Sequence, residues 1–166
     1  MNVGSANEFN QDVLSGWNII GRPLNVADSS VSTLYPDHEP NTLFSWNGSY
    51  QGGSEVARCT GYWLRFPAGA TVPINGTSQS SCTINLIQGW NLIAGPSCDV
   101  PIANIDDPSG VITGTIFGWG GNYFNATSIN QGLGYWVNAS GPGTITISCA
   151  SAASKYQPFR LESAVD

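Results

Sequence analysis

The chain is poor in charge, in cations and in histidine. Charged residues make up 10% of its 166 residues, against about a quarter in an average soluble domain. Five are Lys or Arg and eleven are Asp or Glu, which leaves a net charge of −6. So few cations disfavour a nucleic-acid partner, whose phosphates need Lys and Arg. An anionic membrane surface is disfavoured for the same reason. No apolar run approaches the roughly 20 residues that cross a bilayer, so membrane insertion is not expected. The start, MNVGSANEFNQD, lacks a basic segment followed by an apolar one and does not read as a signal peptide. Residues 1–12 are expected to be a disordered or added leader.

Catalytic signatures are missing too. There is no Gly-x-Ser-x-Gly, no His-Glu-x-x-His and no phosphate loop. The one histidine, His38, lies in the turn-like YPDHEP, and a serine triad would have to use it. Paired carboxylates could be drawn from Glu39, Glu55, Asp99, Asp106 and Asp107. The two acids of Asp106-Asp107-Pro-Ser-Gly read most simply as a turn. Calcium could be held by Asp99, Asp106 and Asp107, but no alternating ligand pattern supports it. The expectation is a chain that is not an enzyme and needs no metal and no cofactor.

What is present is glycine, 20 residues of it, with 6 Trp, 6 Tyr and 6 Phe. Thr, Ile, Val and aromatics alternate with Gly, Asn, Pro and Ser clusters, the pattern of short strands joined by turns. A shift of 73 residues aligns one half on the other without a gap. Gly16-Trp17-Asn18 falls on Gly89-Trp90-Asn91, and TLFSWNGSY from Thr42 on TIFGWGGNY from Thr115. Likewise GYWLRF from Gly61 falls on GYWVNA from Gly134, and TVPI from Thr71 on TITI from Thr144. Islands of identity at one fixed offset indicate duplication. No carboxylate recurs at that offset.

The islands predict strands. In GYWLRF, Tyr62, Leu64 and Phe66 share one face, and Trp63 and Arg65 the other. In GYWVN, Tyr135 and Val137 oppose Trp136 and Asn138. The aromatic islands predict hairpins that turn at Asn47-Gly48 and Gly120-Gly121. A helix is expected only around Asp28 to Pro36, with at most one turn in the matching PIANIDDPSG. SCTINLIQGWNLIAG is one long strand or two meeting at Gln88-Gly89. The fold class is all-β: two repeats, 13–85 and 86–150, fused into one pseudo-twofold sandwich or barrel-like domain with a shared core. Residues 151–166 read as a linker or an extra edge strand.

Four cysteines at scattered spacings, Cys59, Cys82, Cys98 and Cys149, suit two disulfides in an exported protein. Zinc would favour close Cys-x-x-Cys pairs, and there are none. Of three connectivities, the preferred one pairs within each half, Cys59–Cys82 and Cys98–Cys149.

The ordered set GWNLI-x-x-P, F-x-W-x-G-x-Y and G-x-GYWV resembles a duplicated module of secreted multimodular bacterial proteins, notably of Bacteroidota-like lineages. It spans Val13 to Ser148. The resemblance implies an accessory position beside glycoside hydrolases, peptidases or adhesins. Half one departs from the usual pattern with RCTGYW, which implies remodelling by Cys59. The remaining signal is aromatic. Trp17 and Trp90, beside Ile and Leu, are expected in the core. Trp63 and Trp136 share a face with Arg65 and Asn138, and Trp46, Tyr50, Trp119 and Tyr123 flank the hairpin turns. If that face is open, these rings stack on sugars while Arg65 and Asn138 bond hydroxyls; if closed, they are packing. The first reading makes a monomeric, extracellular or surface carbohydrate-binding module for a neutral polysaccharide. The second makes a spacer or adhesion module that presents neighbouring domains.

Overall fold

A computed structural model describes residues 7–150 and is mostly β, with short strands joined by turns and irregular loops. The expected roles of residues 1–6 and 151–166 lie outside the described residues. The first half contains β1 (Asn7–Val13), β2 (Gly16–Gly21), a single helical turn α1 (Val31–Leu34), β3 (Phe44–Trp46), β4 (Tyr50–Gly52), β5 (Gly61–Phe66) and β6 (Ala70–Gly76). The second contains β7 (Ser81–Leu86), β8 (Gly89–Ala94), β9 (Val100–Pro101), β10 (Ile112–Trp119), β11 (Tyr123–Asn125), β12 (Ser128–Ile129), β13 (Gly134–Ala139) and β14 (Gly143–Ser148). A short 3-10 turn at Ile102–Asn104 stands where the first half has its helix.

Each half is a small sandwich. A four-stranded sheet, β2-β5-β3-β4 or β8-β13-β10-β11, packs on a two-stranded one, β1-β6 or β7-β14. Alternation builds the core between them. Leu64 and Phe66 of β5 meet Val72 and Ile74 of β6, and Val137 of β13 meets Ile145 and Ile147 of β14. Each half therefore has its own core, in place of the single shared core expected from sequence.

Residues 7–12, expected as a leader, form most of β1, which pairs with β6 from Asn7↔Gly76 to Val13↔Ala70. Its counterpart β7 pairs with β14, so the second half begins at Ser81, not at residue 86. SCTINLIQGWNLIAG is thus two strands in two different sheets. The equivalence of β1 and β7 was hidden because NEFNQDV and SSCTINL share no residue in register. Only their alternation is common, and it is imposed by the same neighbouring layer.

The repeated Gly-Trp-Asn makes the step between those sheets. Gly16 and Gly89 have φ of 89° and 93°, left-handed values that cost other residues strain. The following Asn holds the turn. Asn18 Oδ1 accepts from Leu14 N at 2.9 Å, and its Nδ2 donates to Leu14 O at 2.9 Å and Gly16 O at 3.1 Å. Asn91 makes the same three bonds to Ile87 and Gly89, at 2.9, 2.9 and 3.1 Å.

The halves are related by a twofold axis, because their contacts are reciprocal. Ile20 bridges Leu133, and its equivalent Ile93 bridges Thr60. Gly21 N donates to Gly132 O, and Ala94 N to Cys59 O. Residues near the axis meet their own equivalents. A Cβ on Gly21 would lie 2.2 Å from Ala94 Cβ, and one on Gly134 would lie 3.2 Å from Gly61 Cα and 2.5 Å from Ile19 Cγ2. The glycine of each GYW is required by this approach. The tyrosine beside it turns into its own half, where Tyr62 Oη accepts from Ala57 N and Tyr135 Oη from Asn130 N.

Both expected disulfides form, Cys59–Cys82 and Cys98–Cys149. The first is not internal to a half, since Cys82 belongs to β7; it ties the halves together. Gln79 sits against it, donating to both sulfurs and accepting from Arg58 Nε. Cys59 has φ of 61°, and its equivalent Gly132 has 83°. The crosslink therefore holds a side chain in a conformation that the other half assigns to glycine.

Asn91→Ala should cost about 2–3 kcal/mol, the worth of three bonds to partly buried backbone, read as a fall in the urea midpoint. Replacing Cys59 and Cys82 by Gly and Ala should leave the protein about 1 kcal/mol more stable than replacing both by Ala, because glycine relieves the left-handed backbone. Equal midpoints for the two double variants would show that the Cys59 backbone relaxes once the bond is gone.

Candidate functional site

Strand alternation sends one face of each four-stranded sheet to its own core and the other toward the axis. The outward face of the first carries Trp17 and Ile19 on β2, Trp63 and Arg65 on β5, Phe44 and Trp46 on β3, and Tyr50 on β4. Register sets Ile19 opposite Trp63, Phe44 opposite Trp63, and Trp46 opposite Tyr50. The second sheet repeats this with Leu92 opposite Trp136, Phe117 opposite Trp136 and Trp119 opposite Tyr123. The two faces meet around Ile19, Leu92 and Trp136, with Trp46, Trp63, Phe117 and Trp119 packed against them.

Away from that contact the faces leave two pockets. One, of about 400 Å³, is lined by Trp46, Tyr50, Trp90, Phe117, Tyr123 and Trp136. The other, of about 370 Å³, is lined by Trp17, Phe44, Tyr50, Trp63 and Trp119. They are counterparts. Each takes the Gly-Trp-Asn tryptophan, the hairpin Phe and Tyr, and the GYW tryptophan from one half. Each takes one further tryptophan from the other half, Trp46 or Trp119. Tyr50 lines both.

Ring geometry repeats across the axis. Trp46 lies 5.6 Å from Trp136, and Trp119 lies 5.2 Å from Trp63, both edge to face. Trp46–Tyr50 and Trp119–Tyr123 are 4.9 Å apart. Trp17–Trp63 and Trp90–Trp136 are 6.1 and 6.3 Å apart. Edge-to-face packing sets ring edges against faces and does not sandwich the faces together. The Trp119 indole N–H donates to Trp17 O at 3.0 Å. The indole nitrogens of Trp63 and Trp136 are buried. Burial pushes the Tyr123 phenol up, a side-chain hydrogen bond from the Trp136 indole works against the rise, and Tyr50 adds to it. The two tyrosines therefore share one rim.

The expected site is rearranged. Trp136 is only 8% exposed and packs at the axis, and Trp63 is half-buried. The face they share is closed by the other half, so they do not form an open row. Trp17 and Trp90, expected in the core, are 38% and 40% exposed. They lie just after the turn at the start of their strands, where the facing half covers them only in part. Tyr50 and Tyr123, on short edge strands, are 53% and 54% exposed, as the hairpin reading implied. Trp46 and Trp119 are half-buried between the pockets. Arg65 and Asn138 line neither pocket. The Arg65 guanidinium pairs with Glu39, and Asn138 lies in β13 between Thr113 and Trp90.

The acids singled out in the sequence have structural partners. Asp107 caps Val111 N and Ile112 N, Asp99 accepts from Gln131 N, and Glu55 accepts from Ser29 Oγ. Asp106 exchanges backbone bonds with Thr146. His38 Nδ1 lies 2.7 Å from Tyr35 O. Among the described residues, no three His, Cys, Asp or Glu side chains gather to hold a metal ion, and no helix is long and apolar enough to cross a membrane.

Compared with models of protein families, with curated proteins and with solved structures, the chain matches none. Fold and site together define an all-β, internally duplicated, doubly crosslinked domain with paired aromatic pockets.

Trp136→Ala should destabilise by about 3–5 kcal/mol, as for a buried aromatic, while Trp17→Ala should cost about 1 kcal/mol or less. Urea unfolding of the two variants beside the parent chain measures both. Equal losses would place Trp17 in the load that holds the halves together.

Proposed function

We propose that the chain is a non-catalytic binding module for a neutral polysaccharide, acting beside other domains of a secreted or surface protein. The observation that carries this reading is the pair of pockets walled by aromatic rings, with Trp17, Trp90, Tyr50 and Tyr123 exposed at their rims. Indole and phenol faces stack on the apolar C–H faces of pyranose rings, and few polar groups then suffice to orient the sugar. A net charge of −6 repels acidic polymers and is indifferent to neutral ones. The binding rings are the rim residues, in place of Trp63 and Trp136. The two disulfides, in an all-β chain without a long apolar helix, suit an extracellular setting. The resemblance to duplicated modules of secreted bacterial proteins supports the accessory role. Such a module would hold a neighbouring enzyme near its substrate by raising effective concentration.

A second reading, a spacer that binds no sugar, draws on Trp136 and the rings packed at the axis, which hold the halves together. Affinity electrophoresis against cellulose derivatives, xylan, mannan and β-glucan separates the two. Retardation by at least one polymer is expected, weakened in Trp17→Ala and in Trp90→Ala while both variants keep their fold. A chain that no polymer retards is the spacer.

A further inference from the structure

The twofold relation extends from the scaffold to the ligand. We propose that the chain is bivalent, with two equivalent sugar subsites, each presenting an exposed stacking ring at the rim of an aromatic pocket. This rests on the polysaccharide reading and adds the number of sites and their location.

The pockets correspond position by position except at the hairpin tyrosines, where Tyr50 lines both and Tyr123 lines one. Trp17, Phe44 and Trp63, with Trp119 from the other half, wall one. Trp90, Phe117 and Trp136, with Trp46, wall the other. Their volumes, about 400 and 370 Å³, are nearly equal. Neither belongs to one half alone, so neither subsite exists unless both halves are folded and joined.

The rims specify the chemistry. Trp17 and Trp90, the same position of the repeat, are 38% and 40% exposed, and each offers an indole face to the apolar C–H face of a pyranose ring. Tyr50 and Tyr123, exposed on three-residue edge strands, place hydroxyls beside them.

Two subsites on one rigid domain let one molecule bridge two glycan segments. Avidity then raises polymer affinity by about 10²-fold over a single subsite. The test is calorimetry with the trisaccharide of whichever polymer retards the chain, on the parent chain, Trp17→Ala, Trp90→Ala and the double variant. Two trisaccharides per chain are expected, one in each single variant and none in the double. One trisaccharide per chain overturns bivalency and leaves the polysaccharide reading standing. Binding of no polymer and no trisaccharide overturns both readings.

Discussion

Every layer of this domain depends on a buried asparagine. The side chains of Asn18 and Asn91 satisfy backbone groups of a turn whose glycine is left-handed. Without those bonds, β1–β2 and β7–β8 would have no reason to break, and a continuous strand cannot belong to two sheets. With them, the chain leaves the two-stranded sheet and enters the four-stranded one within a few residues. That step creates the sandwich, sets a tryptophan second in β2 and in β8, and aims that tryptophan to the side away from the core.

Duplication then does what a single copy cannot. A half of about 70 residues is near the lower limit for a self-sufficient core. Each half here has a core, but the outer face of its larger sheet is a field of aromatic rings. Facing that field with its own copy buries much of it. The axis passes where side chains are smallest, at Gly61, Gly134, Gly21 and Ala94, because equivalent residues meet there and anything larger would meet itself. Toward the edges the twisted sheets diverge, and the rings that remain uncovered become the pocket walls. The Cys59–Cys82 bond secures this arrangement across the junction between halves.

Polar chemistry in the domain is mostly assigned to holding loops. Gln11 accepts from Tyr35 and donates across the axis to Gly132 O. Arg65 is occupied by Glu39, and the acids of the second half cap turns. What is left facing the pockets is aromatic, with indole and phenol groups as the polar atoms. Such a surface discriminates by shape and stacking more than by charge.

The sequence by itself determined the duplication and the strand faces, and it favoured one disulfide pairing of three, which the tertiary structure then decided. Alternation within GYWLRF and GYWVNA is local, because successive Cβ atoms point to opposite sides whatever lies beyond. It was legible that Trp63 and Trp136 share the non-core face, and that the hairpin tyrosines stand at turns. Whether that face meets water was decided only by the tertiary structure. Symmetric docking covered Trp136 and half-covered Trp63, and it left Trp17 and Trp90 exposed although Ile and Leu adjoin them. The strand at Asn7–Val13 was hidden for a related reason: its pairing partner, β6, lies across the whole half, and no local motif marks it. Alternation fixes which way a side chain points, but burial depends on what arrives from the other half of the chain, and that is a long-range fact.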